Sequence, residues 1–598
     1  MRCCRLLIVA LACALLLPGC RLSPWRFEQV DARLAQAREQ ALSCEASRPD
    51  RCSENSPVLA LAAANERQGR HHVVLLETGE DALLLRIHLI RAAQQFIDLQ
   101  NFILRADLTG TLLLNELLDA ARRGVKVRLL LDQMFTVADV EHLVKLTLAH
   151  ANFEIRFYNP SFHKAQTQKH DWISGVACCF RRFNQRMHNK LMVVDDRVGL
   201  VGGRNIADRY FDFDTNYNFK DRDVAVYGPA AREMRASFDW FWDSRKTVAV
   251  QYLRDVAREL LRGAPAELEP YTPLERLRPL LDRVADERQL RSRFIDAAFE
   301  VARLEYFSDR PRKESFPDGA PKQDITRELN DVLIGAEHSV VIQSPYMVLS
   351  RTARNLFREL RAKNPSIELL FSTNSLASTD ADTVYGHTHK RKKRYVGKLG
   401  FQMYEFKPFP GDALTFFPRL PELIDEKKRG VESDSVVSGD GSTIDMPAPR
   451  AGLHSKSFVI DGEVAMIGSH NFDPRSEGFN TENGLIIWDE AFARHLEALI
   501  RRDIEPQNSW VVAMKPREDD PAADALPLIE DDPAAAFWSR GPTSAFELIP
   551  GKEPLPPDAP DFYLNYYPVG SFPEVVRTRR QYLVLILGSF FGFLEPIL

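Results

Sequence analysis

Two imidazole–ammonium pairs recur in this chain at one spacing: His188-Asn189-Lys190 and His454-Ser455-Lys456. Along a strand, alternate residues point to the same face, so each histidine stands beside its lysine. Each segment reaches an aspartate seven residues after the histidine, Asp195 and Asp461. After six intervening residues come Gly202-Gly203-Arg204-Asn205 and Gly468-Ser469-His470-Asn471. Brought to one pocket, two histidines and two lysines suit a phosphodiester. The cations would hold the anionic oxygens and neutralise charge in the transition state. One neutral imidazole would attack phosphorus while the other, protonated, donates to the leaving oxygen. Asn205 and Asn471 would add amide donors to the same oxygens.

A histidine nucleophile needs its far nitrogen held by an acceptor, which fixes the tautomer and raises basicity. Candidates follow in both halves: Asp221 and Asp223 in Lys220-Asp221-Arg222-Asp223-Val224, and Glu482 in Asn480-Thr481-Glu482-Asn483. Asp195 and Asp461 stand at odd spacing from their histidines. They belong to the motif but are expected to face away from the pocket and stabilise the turn.

The elements that must position these groups also repeat. Helical apolar spacing over Ala82 to Ala93 leads into a strand, Phe96 to Gln100. A second helix, Leu112 to Arg123, ends at Gly124 and feeds the strand Val125 to Leu131. The second half repeats the order with a helix at Ile325–Ala336, a strand at Ser339–Gln343, a helix at Thr352–Lys363 and a strand at Ile367–Ser372. Helices alternating with apolar strands predict layered α/β packing around a largely buried sheet. Each half ends on one histidine motif. A chance His-x-Lys on a strand is usually a solvated edge, but a paired motif closing equivalent halves is not readily accidental.

Both segments match the His-x-Lys-x4-Asp signature of the phospholipase D superfamily, and the chain resembles its bacterial cardiolipin synthase branch. Similar stretches include Arg186-Met187-His188-Asn189-Lys190, Gly202 to Asp208, Gln343-Ser344-Pro345-Tyr346, Thr373-Asn374-Ser375-Leu376 and Asp473-Pro474-Arg475-Ser476. The resemblance covers about residues 70–515. It implies an α/β fold of two similar phospholipase D-like lobes sharing one active site. It also implies no metal, no cofactor, and ping-pong transfer through phosphohistidine. Carried over by position, His188 is the nucleophile and His454 the general acid, with the reverse assignment left open. The expected partners are membrane glycerophospholipids, phosphatidylglycerol or phosphatidylethanolamine. Transfer to an alcohol acceptor leads, hydrolysis to phosphatidic acid is the rival, and a nuclease of the same superfamily is the third reading.

The remaining chain bounds these readings. With 598 residues there is room for two or more domains. A formal charge of -5 offers no basic balance for nucleic acid, so no nucleic-acid partner is expected. Arg2 and Arg5, the apolar run Leu6 to Leu17, and Leu17-Pro18-Gly19-Cys20 describe a signal peptide over 1–19. The ending resembles a lipobox with Cys20 as the lipidated residue; a non-lipidated signal peptide is the alternative. Either way a bacterial envelope location follows, as a periplasm-facing lipoprotein in the first case. Cleavage would remove two arginines and no acids, giving a mature charge of -7.

In an oxidising compartment Cys44 and Cys52 could close a loop, whereas adjacent Cys178 and Cys179 are expected as buried small hydrophobes. The expected organisation continues with a helical segment over 20–66 and lobes over 67–255 and 325–515. A charged helical connector over 256–324 separates the lobes, and a surface tail covers 516–598. Residues 408–450 read as an insertion loop. The apolar stretch Tyr582 to Leu594 is too short to span a bilayer as a helix, and would lie in the interface or cap the core. The run Lys390-Arg391-Lys392-Lys393-Arg394 reads as a solvated helix face or a site for anionic headgroups. His71-His72 and His387-x-His389 lack a carboxylate or cysteine at ligand spacing and are expected in exposed loops.

Overall fold

In the computed structural model, residues 23–38, 56–134, 139–263, 268–311, 325–430, 448–516 and 541–574 are described. The expected signal peptide over 1–19, Cys20, Cys44, Cys52 and the apolar stretch from Tyr582 lie outside them. The first lobe begins with β1 (His71–Leu76), β2 (Phe96–Asn101), β3 (Lys126–Asp132) and β4 (Phe153–Tyr158). The hairpin of β5 (Leu191–Val194) and β6 (Val198–Gly202) follows, then β7 (Tyr217–Lys220), β8 (Asp223–Tyr227) and β9 (Thr247–Ala249). With β10 (Phe299–Val301) they form a nine-stranded sheet of order β10-β1-β8-β6-β5-β2-β3-β4-β9, which omits β7. Strands β2, β3 and β4 are parallel, because helices Leu108–Arg122 and Val140–Ala149 carry the chain back between them. The other pairings in this sheet are antiparallel.

The second lobe repeats the plan. Its strands are β11 (Arg303–Ser308), β12 (Ser339–Gln343), β13 (Glu368–Asn374), β14 (Gln402–Phe406), β15 (Arg450–Leu453), β16 (Ser457–Ile460), β17 (Val464–Gly468) and β18 (Asn483–Trp488). Then come β19 (Ser509–Met514), β20 (Thr543–Leu548) and β21 (Tyr566–Gly570). The ten-stranded order is β11-β18-β17-β16-β12-β13-β14-β19-β20-β21, with β12, β13 and β14 parallel. The repeated helices and strands read from periodicity occupy their expected places, for example Arg351–Lys363 and Ser339–Gln343.

Three expectations need correction. The connector is not wholly helical: it contains β10 and β11 and gives one strand to each sheet, against β1 and β18 respectively. The alternation in Phe299-Glu300-Val301 and Leu304-Glu305-Tyr306 specifies these strands, though the charged surroundings hide it. The C-terminal region is not only surface chain, since β20 and β21 extend the second sheet. Cys178 and Cys179 are exposed rather than buried, and are joined as a vicinal disulfide.

The lobes share a core. One apolar cluster contains Val193, Val201 and Val224 of the first sheet and Val459, Ile467 and Leu485 of the second. Helices Ala230–Trp242 and Glu490–Asp503 supply Met234, Phe238, Leu496 and Ile500 to it. Separate clusters fill the far side of each sheet. A buried polar knot also crosses the boundary: Arg222 and Lys220 of the first lobe meet Glu77 and the second lobe's Asp503. Because every one of these charges is paired, the desolvation cost is offset only while the lobes stay together.

The two motif aspartates fix matching corners. Both adopt a left-handed backbone conformation, with φ of 53° at Asp195 and 54° at Asp461, which a short polar side chain tolerates. Asp195 accepts from the amides of Gln94, Gln95 and Phe96, and Asp461 from those of Glu337, His338 and Ser339. Each ties a hairpin turn to the start of the neighbouring strand, away from the histidines. Asp195→Ala should therefore lower the urea midpoint, at a cost of about 2–4 kcal/mol, while kcat per folded molecule stays near wild type. Loss of turnover without loss of stability would give Asp195 a chemical role instead.

Candidate active site

The histidines sit where one lobe's backbone meets the other's. Strand β15 leaves its own sheet and runs parallel to β7 of the first lobe, pairing Arg450–Leu453 with Tyr217–Lys220. The ribbon ends with the His454 amide donating to the Lys220 carbonyl, 2.8 Å. The next residue on the opposite strand is Asp221, whose Oδ2 lies 2.5 Å from His454 Nδ1. The other half does the same with a shorter ladder. Met187 bridges Thr481, and the His188 amide donates to the Thr481 carbonyl at 3.0 Å. Glu482 follows, with Oε2 2.8 Å from His188 Nδ1. Each imidazole is thus held by a carboxylate from the opposite lobe. Both Nδ1 atoms are engaged, which leaves Nε2 for chemistry.

The sequence proposed these carboxylates without showing that they are exchanged. Asp223, the other candidate, instead pairs with Arg86 and Arg204 and is structural. The lysines stand beside their histidines as the spacing required. Lys190 Nζ donates to the His188 carbonyl at 2.7 Å, and Lys456 Nζ to that of His454 at 2.5 Å. Asn205 does not have the simple role expected of it. Its Oδ1 accepts from the Ile103 amide, and its Nδ2 donates to Tyr210 Oη, whose ring packs edge-on to His454 with centroids 5.1 Å apart. Asn205 therefore holds the pocket wall. Asn471 is buried in the opposite lobe, its amide donating to Ser476 Oγ.

The two halves differ in how the carboxylates are dressed. Glu482 accepts from two hydroxyls, Ser469 at 2.6 Å and Ser476 at 2.7 Å. Gly203 occupies the position equivalent to Ser469, and a Cβ there would meet Asp221 Oδ1 at 2.2 Å. The glycine gives room to the carboxylate, whereas the serine supplies a donor.

Burial and the surrounding cations Lys190 and Lys456 push His188 well below the usual histidine range, so its ring is neutral. Burial and Lys456 also lower His454, but Asp221 pulls it back toward the charged form. Burial alone would raise Asp221; His454 and Lys456 outweigh it and hold the carboxyl below its ordinary value. Burial lowers Lys190 strongly, and brings Lys456 down to about 8 against the attraction of Asp221 and Asp380.

Sequence spacing does not mark Asp380 and Tyr346 as site residues. Tyr346 Oη donates to Asp380 at 2.9 Å, and the Asp380 charge favours the protonated forms of both His454 and Lys456. Tyr346 belongs to the Gln343-Ser344-Pro345-Tyr346 stretch, but only the fold brings the exposed Asp380 to this end of the pocket. Phe102 covers the opposite end, edge-on to His188 at 4.9 Å. The basic run 390–394 lies on helix Asp382–Leu399, where Lys392 is buried against Glu405 at 2.6 Å. His387 and His389 are on this helix and His71 and His72 on β1, so none is a loop residue. Among the described residues, no group of three or more histidine, cysteine or acidic side chains is placed to hold a metal.

Comparison with known proteins agrees with this architecture. The family described as "Cardiolipin synthase, PLD-like domain" matches residues 86–242 and 329–504, one block in each lobe. Cardiolipin synthase C of Escherichia coli is 30% identical over 504 residues, spanning 82% of this chain and 97% of that protein. An uncharacterised protein of Helicobacter pylori is 31% identical over 468 residues, covering 76% and 84% of the two chains. A crystal structure of phosphatidylserine synthase from Haemophilus influenzae aligns at 14% identity and a TM-score of 0.47, over 73% of this chain and 87% of that one. The chain belongs to the cardiolipin synthase branch of the phospholipase D superfamily, a family of phosphatidyltransferases.

Proposed function

We propose that this protein moves a phosphatidyl group from one glycerophospholipid to an alcohol acceptor through a phosphohistidine on His188. The observation that carries this reading is the pair of imidazoles held at Nδ1 by opposite lobes, with two lysines beside them. Neutral His188 donates Nδ1–H to Glu482 and attacks phosphorus through Nε2. The bond from phosphorus to the headgroup oxygen breaks, and His454 gives that oxygen its Nε2 proton. In the second step an acceptor hydroxyl enters, His454 takes its proton, the new oxygen–phosphorus bond forms, and His188 is released. Lys190 and Lys456 hold the non-bridging oxygens throughout.

The asymmetry of the site supports these roles. His454 shares its 2.5 Å contact with a carboxylate kept ionised, and Asp380 adds a second negative charge, so His454 is the ring better able to carry a proton. A bound phosphodiester anion would raise it further. Glu482 divides its oxygens among His188 and two serines, which orients the ring with less charge available to stabilise an imidazolium. Exposed Asp380 offers acceptor oxygens at the His454 end, where the headgroup would leave and the acceptor enter. This favours headgroups bearing donors, as phosphatidylglycerol and phosphatidylethanolamine both do.

Trapping distinguishes the histidines. With a phosphatidyl ester of a good leaving group, which needs no general acid, His454→Ala should form a stable adduct on His188, and His188→Ala should form none. Both should lose natural-lipid turnover by about three orders of magnitude or more. An adduct on His454 reverses the roles; near-normal turnover in either variant removes the shared site. Product analysis by lipid mass spectrometry should show cardiolipin rising, whereas phosphatidic acid alone would make the protein a hydrolase.

The pH profile gives a separate check. Lys456 sits at about 8, so raising the pH through that value discharges it and weakens the grip on the phosphodiester. The kcat/KM profile should fall on its alkaline side near this pH. In Lys456→Arg, whose guanidinium stays charged, any remaining activity should lack that limb. A limb that persists in this variant assigns it to another group.

A further inference from the structure

Helix Lys169–Asn184 leads directly into the catalytic segment, but its sequence is unlike that of a water-facing helix. Of the nine large apolar side chains exposed among the described residues, three lie here: Trp172 at 38%, Ile173 at 72% and Val176 at 51%. Val176 lies three residues from Ile173 and four from Trp172, so the three fall within one helical stripe about 100° wide and form one patch. The helix is broken at Cys179, where φ is −143° and ψ 37°. Beyond the break the chain folds back. Phe183 packs on Trp172, with centroids 5.2 Å apart, and a Cβ on Gly175 would meet its ring at 2.3 Å. Phe183 thus fills the inner side against Gly175 and one edge of Trp172, leaving Ile173, Val176 and the rest of the Trp172 ring facing outward.

Charge and position indicate what covers it. The helix carries Lys169, Arg181 and Arg182 against one acid, Asp171, a net +2 in a chain of net -5. That acid is buried and bound to Lys164 at 2.9 Å, so it adds little negative field to the exposed face. An apolar stretch with cations before it in the chain at Lys169 and after it at Arg181 and Arg182 suits the interface of an anionic bilayer, where apolar side chains enter the acyl region and cations meet headgroups. The helix also borders the pocket. Phe180 contacts Phe479 at 6.3 Å, three residues before Glu482, and Arg186-Met187-His188 follow the helix end.

We propose that this broken helix is the element that seats the active site on a membrane, inserting Trp172, Ile173 and Val176 into an anionic phospholipid surface beside the His188 end of the pocket. The inference builds on the reading that the substrates are bilayer glycerophospholipids. It assigns their entry to one rim: a lipid moves from the leaflet past this helix to His188 with its acyl chains still in the bilayer.

The test uses the full chain, with vesicles of phosphatidylcholine with or without phosphatidylglycerol. Brominated acyl chains should quench the Trp172 fluorescence, identified by difference from Trp172→Phe, and the quenching should be stronger with phosphatidylglycerol and weaker at high salt. Ile173→Glu combined with Val176→Glu should lower kcat/KM on vesicle lipid about tenfold or more, since each change removes an inserted apolar side chain. The same variant should match wild type on a short-chain phospholipid kept monomeric in solution, and Leu564→Glu, an exposed change elsewhere, should have no effect. Absence of Trp172 quenching overturns the proposal, as does an equal loss on vesicle and monomeric substrates, which would indicate damaged folding. A wild type that binds and is quenched but turns over neither lipid would count against the proposed function and leave the membrane seat standing.

Discussion

Each motif imidazole is held by a carboxylate that comes from the other lobe. His188 needs Glu482 and His454 needs Asp221, and in both cases the bond follows a backbone hydrogen bond from the histidine amide to the residue before the carboxylate. A separated lobe would keep its His-x-Lys segment but lose the group that fixes the ring's tautomer and orientation. Chemistry and lobe association are therefore one constraint. The shared apolar cluster and the knot of Glu77, Lys220, Arg222 and Asp503 can be understood as what holds that constraint in place. Lys220 and Arg222 flank Asp221 in the chain, so the knot grips the carboxylate from both sides.

Near-symmetry creates a difficulty that the small differences resolve. Two equivalent histidines would compete for one proton in a pocket with two ammonium groups. Asp221 lies close to His454 in space cleared by Gly203. Glu482 is one methylene longer and is shared with Ser469 and Ser476. Asp380 places a further negative charge near His454, whereas the largest influences on His188 are burial and the cations Lys190 and Lys456. A duplicated scaffold thereby separates an uncharged ring from one that can carry a proton, as paired titratable groups must be separated to act as base and acid.

Much of this was legible in the chain. The periodicity of two and of three to four fixed the repeated helices and strands, since an amphipathic element must bury its apolar face whatever its partner. The motif histidines, lysines and aspartates follow from local spacing, and the odd offset of Asp195 and Asp461 correctly turned them from the pocket toward the strand corners. Local alternation also encoded β10 and β11, but charged surroundings masked it.

What spacing could not contain is which distant segment meets which. Glu482 is 294 residues from His188 and Asp221 is 233 from His454, and no local pattern distinguishes exchange between lobes from pairing within each. The same holds for Asn205, whose oxygen is taken by the Ile103 amide, and for Asp380, which reaches the pocket end beside His454. Sequence determined the groups and the elements that carry them, because propensity and periodicity act over a few residues. Their partners, burial and proton affinities were decided by the tertiary structure, because Coulomb interaction and desolvation depend on distances in space rather than along the chain.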